Sequence, residues 1–258
     1  IHRFFEFVIV FLLYYFVGPE SVGIYSIALS IVGLLELVNV GVKTSIYPTV
    51  YRFYDTEEHR ALRKFIPNWT KTYVAFILSA SLSLLATSPI LVVLTSNSSF
   101  LDAVEILPFL LLASALQIIE SSVQIPYLLR KRVDLISIRQ FIATVGAILL
   151  AFLLIPTFGL LGASITLSCH PFLRIILAYP LAQKLYHFDY PLYKFLLVGV
   201  NTLLALSGGY ILWKIFLVRF EIAFLVPIPF FIAILFITRI ITIREIKVYF
   251  RIIRSSKA

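Results

Sequence analysis

Two sets of polar residues stand out because of where they fall. Glu36, Asn39 and Lys43 are spaced i, i+3, i+7, and Gln117, Glu120 and Gln124 repeat that spacing. Each spacing puts its three members on one face of a helix. Both sets interrupt stretches that are otherwise apolar, with Ser114, Ser121 and Ser122 close to the second. Carboxylates and amides in that setting suit hydrogen-bonding or charge chemistry in a hydrated cavity. They do not suit a face turned to hydrocarbon, where insertion of an acid at the helix centre costs about 2.5–3.5 kcal/mol. Simpler uses stay open: Glu36 pairing with Lys43 or another base, and Glu120 bonding to a neighbouring helix. Glu6 is a further acid in an apolar run, and His170 lies beside Pro171, where packing at a kink competes with proton relay. Asn201 reads as a bond between helices. Arg130, Lys131 and Arg132 form a basic cluster that could meet a phosphorylated head group or serve only to fix topology.

The elements carrying these residues follow from composition. The chain of 258 residues is 60% hydrophobic and 14% charged, with a mean hydropathy of +0.99. A soluble domain of this size carries roughly 25% charged residues. Apolar runs recur here at about 20 residues, the length of helix that crosses a ~30 Å hydrocarbon core. They lack the alternation of barrel strands. The expectation is an all-α, polytopic transmembrane bundle of about eight spans. These lie near 4–17, 22–42, 72–94, 106–128, 135–155, 159–182, 191–213 and 222–240.

Charge supplies the orientation. The net charge is +9, and with alternate connections assigned to one side, 20 of the 22 Lys and Arg fall together, leaving Lys214 and Arg219 opposite. Bases resist translocation, so the rich side reads as cytoplasmic and both ends lie there. The basic balance is then a topology signal with contact to membrane lipids, rather than a nucleic-acid surface. The connection 43–71 reads as a loop with a short cytoplasmic helix, started by Asp55 and Glu58 and capped by Thr56. Residues 241–258 read as a basic amphipathic tail on the inner leaflet. The triplet Asn97-Ser98-Ser99 is a glycosylation sequon on the expected outer side, and Asn68-Trp69-Thr70 another on the inner side. A chain without methionine whose first apolar run is short reads as a piece of a longer protein.

Several chemistries find no support. No phosphate-cradling glycine loop precedes a Lys-Ser/Thr pair, and no His–carboxylate cluster has metal spacing. His187 and Asp189 sit in a polar turn, and the single Cys169 excludes an intrachain disulfide. Neither a cofactor nor an enzymatic reaction is expected.

The order of segments carries a resemblance. Gly18-Pro19-Glu20-Ser21-Val22-Gly23-Ile24-Tyr25-Ser26 follows the first span, Tyr47-Pro48 the second, and Ile155-Pro156-Thr157-Phe158-Gly159-Leu160-Leu161-Gly162-Ala163 the fifth. Together, over about residues 14–190, these resemble the polysaccharide-transporter (Wzx-like flippase) branch of the multidrug, oligosaccharidyl-lipid and polysaccharide exporter superfamily. The resemblance implies two six-helix lobes related by pseudo-two-fold symmetry, with two extra C-terminal helices. Residues 1–190 would then be the second lobe, 191–240 the two additional helices, and the N-terminal lobe a missing partner. It also implies a polyprenyl-linked glycan as substrate, flipped from inner to outer leaflet of the cell membrane by alternating access. A drug or metabolite exporter of the same superfamily is the nearest alternative. A membrane polymerase or ligase acting on lipid-linked sugars would need a larger outer loop than 95–105, and an assembly subunit would need no cavity.

Overall fold

The computed structural model describes residues 2–190 and, beyond them, positions 193, 197–202, 204, 205, 207, 208, 225, 228, 229, 232 and 233. Among the described residues every regular element is helical. The order is α1 (His2–Phe16), α2 (Pro19–Asp55), α3 (His59–Thr95), a 3₁₀ turn (Ser98–Phe100), α4 (Ala103–Leu129), α5 (Val133–Phe158) and α6 (Leu160–Leu185). Among the described residues four stretches are long and apolar enough to cross a membrane: α2, α3, α4 and Val133–Leu185, the last containing α5 and α6. The eighth expected span and the basic tail lie outside the described residues, apart from scattered helical positions in the span, and the seventh is described in part.

Helix faces identify the solvent. On α5 the buried residues are Ile136, Arg139, Ala143, Thr144, Ala147, Ala151 and Ile155. The exposed ones include Ile138, Phe141, Ile142, Val145, Leu149, Phe152 and Leu153. Small and polar side chains face inward and large apolar ones outward, the reverse of a helix in water. Full burial of such a side chain is worth about 1.5–3 kcal/mol. At half that value, the outer stripe of α5 alone forgoes roughly 5–10 kcal/mol in water, as much as many folded domains possess. Helix α6 repeats the pattern, burying Gly162, Ala163, Ser164 and Thr166 while exposing Phe172, Ile176, Leu177 and Leu181. Small residues at helix contacts and bulky ones toward lipid are the arrangement expected of a membrane-embedded bundle.

The chain divides into two compact units: Ile1–Leu34 with Thr87–Tyr186, and Leu35–Ala86 with His187–Ala258. In the first, α6 packs chiefly on α4 and α5, and α1 on α5. The α5–α6 reversal uses one residue. Gly159 has φ 57° and ψ −127°, a conformation that side-chain-bearing residues rarely adopt. A Cβ on Gly162 would lie 2.1 Å from the Leu154 carbonyl oxygen, so the two backbones meet where only hydrogen fits. Pro156 does not end α5, although the expected span stops near residue 155. It sits in the last turn, where the Thr157 hydroxyl donates to the carbonyls of Leu153 and Leu154 at 3.0 and 3.1 Å.

The connection 43–71 also differs from expectation. Helix α2 runs through Pro48 to Asp55, and α3 begins at His59. Only Thr56–Glu58 turns the chain, with Glu57 at φ 58°. Thr56 does not cap a new helix: its hydroxyl donates to the Arg52 carbonyl (2.9 Å) and to Glu58 (3.2 Å). Two long helices thus extend past the apolar runs. Their amphipathic ends look like a separate element in sequence because the hydropathy changes while the backbone continues.

Candidate functional site

The polar stripe of α4 meets two arginines. Glu120 is 5% exposed. Its carboxylate lies 3.8 Å from Arg139 of α5 and 3.9 Å from Arg174 of α6. One turn along α4, Gln124 donates its amide N–H to the same carboxylate. Arg139 also donates to the Arg174 carbonyl at 3.4 Å and places its guanidinium 4.8 Å from the Tyr127 ring centroid. Tyr127 in turn donates its hydroxyl to the Ala178 carbonyl, 2.7 Å away. The cluster ties α4, α5 and α6 together through charge, a cation–π contact and backbone oxygens.

Its electrostatics are lopsided. Arginine stays protonated under all ordinary conditions, so two guanidinia face one carboxylate. Desolvation of each ion costs several kcal/mol, which attraction offsets only while all the partners remain. Removing one member of such a buried group therefore costs more than the pair contributes. The site can hold charge in an apolar bundle and respond to a second anion, but it has no nucleophile beside a base.

Sequence position misled the reading of both arginines. Arg139 and Arg174, like Lys71, count among the 20 bases that the sequence gathers on the cytoplasmic side. All three lie inside helices and are buried, Lys71 to 1% exposure within α3. The signal available in sequence was their setting: Leu135-Ile136-Ser137-Ile138-Arg139 and Phe172-Leu173-Arg174-Ile175-Ile176 continue apolar helices on both sides.

The other candidates divide between the units. Gln117 and Gln124 are half-buried on α4, in the first unit. Glu36 is half-buried and Asn39 buried, in the second. Asn39 accepts a hydrogen bond from the Tyr73 hydroxyl at 2.6 Å, and Tyr73 stacks on Trp69 with centroids 5.4 Å apart. That bond joins α2 to α3. Arg130, Lys131 and Arg132 are exposed at the α4–α5 turn. Arg130 donates to the Leu185 carbonyl (3.2 Å) and Arg132 pairs with Asp134 (3.1 Å). His170 is buried against the Phe5 ring at 4.2 Å and lies 3.2 Å from the Thr144 hydroxyl, a packing position between α1, α5 and α6. His187 and Asp189 are exposed and bonded to each other at 2.9 Å. The inner-side sequon is enclosed, with Trp69 and Thr70 buried in α3.

No protein-family model, curated protein or solved structure matches the chain.

Proposed function

We propose that the chain belongs to a membrane transporter that moves lipid-linked oligosaccharide or polysaccharide precursors from the inner to the outer leaflet by alternating access. The observation that carries this reading is the cluster Glu120–Arg139–Arg174 inside an apolar helix bundle. Intramembrane charges are expensive, and they commonly mark substrate or ion pathways. The segment order of the polysaccharide-transporter family supports the same reading, with residues 1–190 as a second lobe and about eight spans in all. The bases gathered on one side support a multi-pass protein of the cell membrane with both ends cytoplasmic. The sugar head group would cross along polar residues while the lipid tail stays in the bilayer.

The test is flux of a lipid-linked glycan in cells carrying the full-length protein as their sole flippase. Arg174→Lys keeps the charge and should cut flux at least tenfold while membrane abundance falls less than twofold, and Glu120→Gln should cut flux per molecule that reaches the membrane by a similar factor. Undiminished flux in both variants would sink the assignment of transport to this cluster. Orientation is tested separately with single cysteines at Ser98 and Lys64 in a Cys169→Ser background. An impermeant thiol reagent on intact cells should label the first and spare the second.

A further inference from the structure

The Glu120 cluster holds two guanidinia against one carboxylate, so one cation is in surplus. The two arginines are not equivalent. Arg139 is tied to the fold at three points. Its guanidinium lies over the Tyr127 ring, 4.8 Å from the centroid, donates to the Arg174 carbonyl at 3.4 Å, and approaches the Glu120 carboxylate at 3.8 Å. Among the described residues the Arg174 guanidinium has no hydrogen bond and a single ion pair, with Glu120 at 3.9 Å. Both ion pairs are longer than a hydrogen bond. The carboxylate oxygen nearest Arg139 also accepts from Gln124. Nε and Nη2 of Arg139 and Nε of Arg174 are buried without an acceptor. One carboxylate therefore does not serve both forks. Closing on one arginine leaves the other unmatched.

We propose that Arg139 is the structural counter-ion of Glu120, and that Arg174 is the cation that acts in transport, free to exchange the Glu120 carboxylate for an acceptor on the cargo. The assignment rests on the transport reading above and divides its cluster into a holding residue and a working one. Arg139 is a positioning residue. It fixes Glu120, and it joins α5 to α4 through the Tyr127 ring and to α6 through a backbone oxygen. Removing a member of a buried ion pair is costly when it strands a charge. Loss of Arg174 strands none, because Arg139 and Glu120 remain as a neutral pair. Loss of Arg139 also leaves a neutral pair, but it takes away the cation–π contact and the bond to α6, which desolvation strengthens. A surplus cation kept in an apolar bundle weakens that bundle, and such costs are tolerated at functional sites.

The experiment measures melting of the purified full-length protein in detergent, and flux per membrane-inserted molecule in cells carrying it as their sole flippase. Arg174→Gln should melt at or above wild type and lose at least tenfold in flux. Arg139→Gln should melt clearly below both. Arg139→Lys keeps a cation over Tyr127 and should hold flux per molecule within twofold of wild type, whereas Arg174→Lys loses at least tenfold. Two merely structural arginines would not divide in this way. The assignment is overturned if Arg174→Gln melts as low as Arg139→Gln, if Arg139→Lys loses as much flux as Arg174→Lys, or if Arg174→Gln transports normally. Absence of flux in wild type overturns the transport reading and the role of Arg174 with it, while the melting order separately decides which arginine holds Glu120.

Discussion

Arg139 and Arg174 on one side, and Arg60 and Arg63 on the other, show how little residue type says about role. All four count among the bases that the sequence gathers on one side of the membrane. The first pair is about 6% exposed and closes on Glu120. The second pair is exposed and borders a cavity. What separates them is the neighbouring helix. Helix α4 presents a carboxylate at the level of Arg139 and Arg174, so these arginines are drawn inside the bundle. The first turns of α3 border the same cavity as Asp189, which is itself bonded to His187. There the guanidinia remain at the surface.

That contrast can be broken first at its centre. Glu120→Ala leaves two buried guanidinia without a counter-charge. Loss of one partner from a buried ion pair costs about 3–5 kcal/mol, so the variant should largely disappear from the membrane fraction or melt far below wild type. Arg139→Met in the same background should restore part of the loss, because the carboxylate and one excess cation are then both gone. If Glu120→Ala alone melts like wild type, the cluster does not hold α4, α5 and α6 together.

The next effect is steric. Gly162→Ala places a methyl against the Leu154 carbonyl. Overpacking of this kind costs roughly 1–3 kcal/mol. The melting point of the full-length protein in detergent should fall, whereas Gly33→Ala, with nothing within 4 Å, should change it little.

A smaller loss is expected in the second unit. Tyr73→Phe removes the 2.6 Å bond to Asn39. Side-chain bonds between helices in membranes average about 0.6 kcal/mol, so the shift should be barely resolved. A double change with Asn39→Leu should cost no more than the sum of the singles. The smallest stability effect belongs to Arg60→Ala, where a surface substitution should stay within about 0.5 kcal/mol. A large destabilisation there would mean that the α3 cluster is structural, like its buried counterpart.

Much of the helical framework was legible because hydrocarbon imposes a length and every backbone group must find its partner within the helix. The runs that became α4, α5 and α6 were bounded to within a few residues, and Gly159 marked the reversal through its backbone freedom. The polar stripe of α4 was legible as well, since three polar residues on one face stand out against leucine and isoleucine. Its partners were not. Arg139 and Arg174 lie 35 residues apart, and only packing of α4 on α6 and of α5 on α6 gathers them around Glu120. Pro48 and the charged stretch after it concealed the length of α2 for a different reason. A proline removes one backbone bond, and a helix of 37 residues tolerates that loss where neighbouring turns hold it.

The one-residue junction at Gly159 bears on how the protein is made. Each of α5 and α6 has 26 residues, enough to cross a bilayer, yet the connection supplies no polar segment that could wait in water while its neighbour inserts. Left alone, α5 would present Arg139 to lipid without the Arg174 carbonyl of α6 to meet it. Insertion of the two helices as a single hairpin is therefore the expected outcome. Lengthening the junction with a hydrophilic insert should uncouple the two insertion events and give a ribosome-bound chain, halted just past Phe158, time to be recognised by quality control.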